Sequence, residues 1–99
     1  METKDFHKKI IEFMKKWDEK RGVAPSEQET FNHLIEEIGE LAREIVNRES
    51  RKDKYSNDKL NNAIADSMMQ LIKLADLRKI DLEKEIIKVI DEETKKYLS

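Results

Sequence analysis

Four glutamates stand close together in the stretch EEIGELARE: Glu36, Glu37, Glu40 and Glu44, at spacings of three and four that crowd them onto one side of a helix. Like charges at that spacing repel by ~0.2–0.5 kcal/mol per pair in an isolated helix, and elsewhere the chain intersperses lysine. Only Arg43 and Arg48 are nearby. Gathered carboxylate oxygens suit a hard cation such as Mg²⁺, but the same pattern also suits an acidic face that is merely solvated, the more ordinary outcome in so charged a protein. A further carboxylate bears on the choice. Asp66 sits among Ala63, Ile64, Ala65, Ser67, Met68 and Met69, where a charge needs a partner. It shares a narrow face with Asn62, Ala63, Gln70 and Lys73, so two helices could aim oxygen ligands at one point. A salt bridge to Arg43 or Lys73, or a water-facing edge, are the alternatives.

The elements that would position these groups are helical. Apolar residues recur at spacings of three and four, and two glycines and one proline punctuate 99 residues. A first helix runs from about Asp5 to Lys20 with Phe6, Ile10, Phe13, Met14 and Trp17 on one stripe, and stops at Arg21-Gly22. The second opens at Ser26, with Glu29 completing a capping box, and carries Phe31, Leu34, Ile35, Ile38, Leu41, Ala42 and Ile45. The run from Ser50 to Asp58 has no apolar period and reads as a solvated connection. A third helix, about Lys59 to Lys79, puts Leu60, Ile64, Met68, Leu71, Ile72 and Ala75 on one broad face and should be the most buried. Asp81 caps a fourth, whose stripe is Leu82, Ile86, Val89, Ile90 and Tyr97. The expectation is one all-α domain over residues 1–99, a four-helix bundle completed by oligomerisation. The longer connection could join helices that are not simple antiparallel neighbours.

Composition narrows the partners. Charged residues make up 42% against ~25% in an average globular chain, and hydrophobic residues 37%, which leaves a small core that self-association would enlarge. Twenty basic and twenty-two acidic side chains nearly cancel, at a net charge of -2, so nucleic-acid binding is not expected. The absence of cysteine excludes disulfides, thiolate metal sites and cysteine nucleophiles. METKDFHKK lacks the apolar stretch of a secretion signal, and nowhere do ~18 uncharged apolar residues run together, so a cytoplasmic protein without membrane association is expected. His7 and His33 read as surface or boundary residues rather than ligands. Trp17 and Tyr97 could stack on a nucleobase but read as members of helix stripes. Arg48, Arg51, Lys52 and Lys54 read as solvated charge that could steer a phosphate.

The string EEIGELARE, followed by a polar loop and then AIADSMMQLIKLADLRKIDLE, resembles a MazG-type nucleoside triphosphate pyrophosphohydrolase. The likeness covers most of the chain. It includes the EExxE motif at Glu36, Glu37 and Glu40, the Asp of the second motif at Asp66, and the turn Lys79-Ile80-Asp81 that starts the last helix. Gly39-Glu40-Leu41 is the most specific element, and it fits this type better than the related phosphoribosyl-ATP pyrophosphohydrolases.

The resemblance implies an all-α bundle assembled as a homodimer or homotetramer. It implies hydrolysis of a nucleoside triphosphate to the monophosphate and pyrophosphate with Mg²⁺, or Mn²⁺ as a substitute. Glu37, Glu40 and Asp66 would ligate the metal, Asn62 could add an amide oxygen, and Glu36 or Glu40 would orient or deprotonate the attacking water. Lys73, Lys95 and Lys96 would lie near the substrate. The chain departs from the pattern at Ala63, where ExxD would place a glutamate, and at Val89 and Glu93, where the family often has lysine and asparagine. Lys95, Lys96 and Tyr97 keep the basic-Tyr ending, and a shift of one residue brings Lys88 into play. The gap at 63 leaves two outcomes: a site holding one metal instead of two, or a catalytically lapsed relative that binds nucleotides or proteins without turning them over.

Overall fold

The computed structural model describes residues 2–98 and folds them into four helices: α1 (Thr3–Arg21), α2 (Glu27–Ser50), α3 (Asn57–Leu77) and α4 (Leu82–Tyr97). The described residues contain no strand. Helix ends follow their local chemistry. Gly22 takes the left-handed conformation at φ 69°, and its N–H and that of Val23 donate back to Glu19 and Asp18 carbonyls to close α1. The Ser26 hydroxyl accepts from the Glu29 N–H while the Glu29 carboxylate accepts from the Ser26 N–H, completing the capping box. Asp81 accepts from the Lys84 N–H and starts α4. One cap extends a helix beyond its apolar period: Ser56 accepts from the Lys59 N–H, so α3 begins at Asn57. At its other end α3 stops at Leu77, because Lys79 adopts φ 57° and Ile80 donates back to the Ala75 carbonyl.

α2 and α3 form an antiparallel hairpin despite the connection between them. Glu27, at the start of α2, accepts a 2.7 Å hydrogen bond from Arg78, just beyond α3. α1 also packs on α3, where Lys73 reaches Asp18, and Ile11 shares a cleft with Ile72 and Ala75. In contact with both helices, α3 buries Leu60, Ala63, Ser67, Ile72 and Ala75 and is the most buried helix, as its composition implies.

The fold covers only part of the apolar stripes that the periodicity suggests: Leu34 and, less completely, Leu41 on α2, and Leu60, Ile72 and Ala75 on α3. On α2 the residues turned inward are Thr30, Leu34, Glu37, Leu41 and Glu44, and on α3 Leu60, Ala63, Ser67 and Gln70, so leucines alternate with small and polar groups along the seam between the two helices. The stronger apolar stripe lies beside this seam and stays open: Phe31, Ile35, Ile38 and Ile45 on α2, and Ile64, Met68 and Leu71 on α3. Phe6, Phe13 and Trp17 of α1 are likewise exposed, and α4 buries no residue at all. The four-helix bundle is therefore not closed within one chain. Its accessible surface of 8020 Å² exceeds the ~5,900 Å² expected of a compact monomer of 11.8 kDa. Its radius of gyration of 16.4 Å exceeds the ~13 Å of a compact 100-residue domain. No helix among the described residues is long and apolar enough to cross a membrane.

Candidate metal centre

Because inward positions on α2 recur every three and four residues, the seam carries two of the four clustered glutamates, Glu37 and Glu44, towards α3 and leaves Glu36 and Glu40 at its exposed edge. Asp66 approaches from α3. Glu37 registers the encounter. Its partial burial, followed by the charges of Asp66, Glu40 and Glu36, pushes its carboxyl above the ordinary glutamate value, against a smaller opposing effect of His33. Glu37 thus feels the charge of Asp66 across the hairpin as well as those of its neighbours on α2.

Of the competing explanations for Asp66, the salt bridge is not formed, whereas the residue is exposed at a water-facing edge of the hairpin. Lys73 donates instead to Asp18 at 2.6 Å, both side chains 13% exposed, and among the described residues Asp66 forms no ion pair with Arg43 or any other cation. Burial alone would raise the Asp18 carboxyl, but the hydrogen bonds and charges of Lys73 and Arg21 outweigh it and hold the group below its ordinary range. Lys73 reaches the neighbourhood of Asp66 with its charge already engaged.

Two cavities flank the Glu37–Asp66 encounter. One, of about 320 Å³, lies between α1 and the hairpin and is lined by Phe13, Trp17, His33, Asp66, Gln70 and Lys73, among others. The other, of about 660 Å³, lies further along the seam and is lined by Glu40, Arg43, Glu44, Asn47, Lys54, Lys59, Asn62 and Ala63. Asn62 and Asp66, one turn apart, therefore open onto different cavities. Lys95 and Lys96 line neither; both are exposed in the last turn of α4, where the Lys96 ammonium lies 5.1 Å from the centre of the Tyr97 ring.

Among the described residues no three His, Asp or Glu side chains already converge tightly enough to enclose a metal ion. Mg²⁺ does not require that, since it usually keeps several waters and takes one or two protein carboxylates together with substrate phosphates. The neighbouring carboxylates disfavour the ionisation of Glu37, and a donor set of hard oxygens fits such a cation. A second sign is Glu44, whose Oε2 is buried without a hydrogen-bond partner, an arrangement that costs ~1–3 kcal/mol or more for a charged group. Spacing places Glu44 in the acidic face but does not reveal its burial. The usable signal is its seven-residue interval from Glu37, which puts both on the α3-facing side.

A family model described as the MazG nucleotide pyrophosphohydrolase domain matches residues 25–99, about three quarters of the chain. The chain belongs to the MazG family. No curated protein and no solved structure gives a match. In this MazG domain the matched region carries α2, α3 and α4, and with them every carboxylate of the candidate centre. The helix α1 precedes it and supplies Phe13, Trp17 and Asp18 to the smaller cavity.

Proposed function

We propose that this MazG domain is a Mg²⁺-dependent pyrophosphohydrolase that converts a nucleoside triphosphate, ordinary or damaged, and water to the monophosphate, pyrophosphate and a proton. The observation that carries the reading is the MazG match over residues 25–99, supported by the charge that Asp66 of α3 exerts on Glu37 of α2. Glu37, Glu40 and Asp66 would hold the metal, with the Asn62 amide oxygen as a neutral addition. When bound, Mg²⁺ would offset charge on the triphosphate and make a water more acidic. Glu36 or Glu40, both exposed at the edge of the seam, would accept the proton from the water that attacks the α-phosphorus, and pyrophosphate would leave. The cavity beside Asp66, with Trp17 and Phe13 at its wall, has the apolar surface that a nucleoside requires.

The domain would work in the cytoplasm as a homodimer or homotetramer. The open stripe from Phe31 to Ile45, the matching face of α3 and the unburied α4 support association, since isolated soluble chains rarely leave so much contiguous apolar surface uncovered. The test is release of pyrophosphate from a panel of ordinary and modified nucleoside triphosphates, with and without Mg²⁺ and with Asp66→Ala as the control. Orthophosphate as the first product would overturn the reaction assignment.

A second reading, a catalytically lapsed nucleotide binder, draws on Ala63, which is buried in the seam with no carboxylate to offer. It predicts a folded protein that binds a triphosphate and releases nothing from it.

A further inference from the structure

Glu44 is the member of the α2 acidic face that the fold buries most completely, at 5% exposure, whereas Glu36 and Glu40 are exposed and Glu37 is half-buried. Its Oε1 accepts one long hydrogen bond, 3.4 Å, from Asn47 Nδ2, and its buried Oε2 meets no donor. Among the described residues no lysine, arginine or histidine forms an ion pair with it. A buried carboxylate oxygen with no protein partner gives the hairpin nothing as a structural element and suits a cation. The side chain lines the same cavity as Glu40, Asn62 and Ala63. Ala63 contributes only a buried methyl there, so the space a longer side chain would take on α3 is left to one arriving from α2.

We propose that Glu44 is a direct oxygen ligand of the divalent cation, supplying from α2 the carboxylate that Ala63 does not supply from α3. The identity of the cation rests on the pyrophosphohydrolase reading above. Glu40 and Glu44 are one helical turn apart on α2, and the Asn62 amide oxygen opens onto their cavity from α3. Glu40, a ligand in the reading above, would join Glu44 and Asn62 to Glu37 and Asp66, and water and phosphate oxygens would complete the hard-oxygen shell that Mg²⁺ takes. Lys54 and Lys59 line the same cavity and place positive charge where phosphate oxygens would enter.

The test is Mn²⁺ binding to the full chain without nucleotide, read by electron paramagnetic resonance of the free ion and by calorimetry. Glu44→Gln keeps the shape of the side chain, and its fold is checked by the thermal unfolding midpoint. It should weaken Mn²⁺ binding at least about tenfold, the lower end of what is lost even when groups that merely support ligands are removed. In the Glu44→Ala background, adding Ala63→Glu should return most of the lost affinity, because the carboxylate then enters the vacated space from the other helix. Unchanged binding in Glu44→Gln, alongside loss in Asp66→Ala, would overturn the role of Glu44 and leave the pyrophosphohydrolase reading standing. Absence of Mn²⁺ binding in the wild-type protein would overturn both.

Discussion

Lys73 of α3 lies 2.6 Å from Asp18 of α1, and this pair ties the helix ahead of the family match to the helix that carries Asp66. It also explains why a lysine within two turns of Asp66 leaves that carboxylate unpaired. Asp18→Asn leaves the Lys73 ammonium largely buried and uncompensated, and should cost about 3 kcal/mol in chemical denaturation. The pH dependence has a definite sign. The Asp18 carboxyl is held below its ordinary value of 3.8, so its contribution is present above that value and is lost as pH falls through the lower folded-state value. Asp18→Asn should remove that part of the acid sensitivity; an unaltered acid unfolding profile would show that the pair contributes nothing.

Glu37 shifts in the opposite sense, with a stability consequence of opposite sign. Its carboxyl is raised above 4.5, so the penalty for ionising it in the folded state is fully present above the folded value and is relieved as pH falls through it. Glu37→Gln should therefore stabilise the metal-free protein at neutral pH by about 0.5 kcal/mol, the scale of one or two like-charge helix pairs, with the gain shrinking on acidification. On the proposed function, Mg²⁺ plus a nucleoside triphosphate should raise the unfolding midpoint of the wild type, and the same variant should lose that rise. A variant that is less stable without metal would mean that Glu37 is held by attraction instead of crowded by repulsion.

Ile38 and Met68 stand in the open stripes of α2 and α3. If these stripes form the interface of the proposed homo-oligomer, replacing both with lysine should yield a monomer in analytical ultracentrifugation, because charge would be buried where apolar side chains meet. A wild-type chain that already sediments as a monomer would remove the basis for self-association.

Lys79 holds φ 57° at the end of α3, a conformation in which a side chain costs ~1 kcal/mol and glycine nothing. Lys79→Gly should raise stability by up to ~1 kcal/mol and leave nucleotide hydrolysis unchanged, since the residue lines neither cavity of the candidate centre. A loss of stability would mean that the lysine side chain makes contacts that outweigh the backbone strain.

Local chemistry is readable along the chain wherever its partners are near in sequence. The helices, the Gly22 stop, the Ser26–Glu29 capping box and the Asp81 cap all depend on groups within a few residues of one another, so spacing alone determines them. The acidic motif and Asp66 are equally plain as residue types, and the family likeness they carry is matched over residues 25–99. What the chain's order does not contain is which of two adjacent stripes on each helix turns inward. Apolar content favours Phe31, Ile35 and Ile38 on α2, yet the fold seats Thr30, Leu34, Glu37 and Glu44 against α3. Neighbouring stripes differ by one residue in sequence and ~100° around the helix, and both have a helical period. Only packing against α1 and α3 selects between them. That choice buries Glu44, brings Glu37 to Asp66, engages Lys73 with Asp18 and leaves the stronger apolar stripes uncovered, because burial and electrostatic coupling depend on distances between segments far apart in the chain.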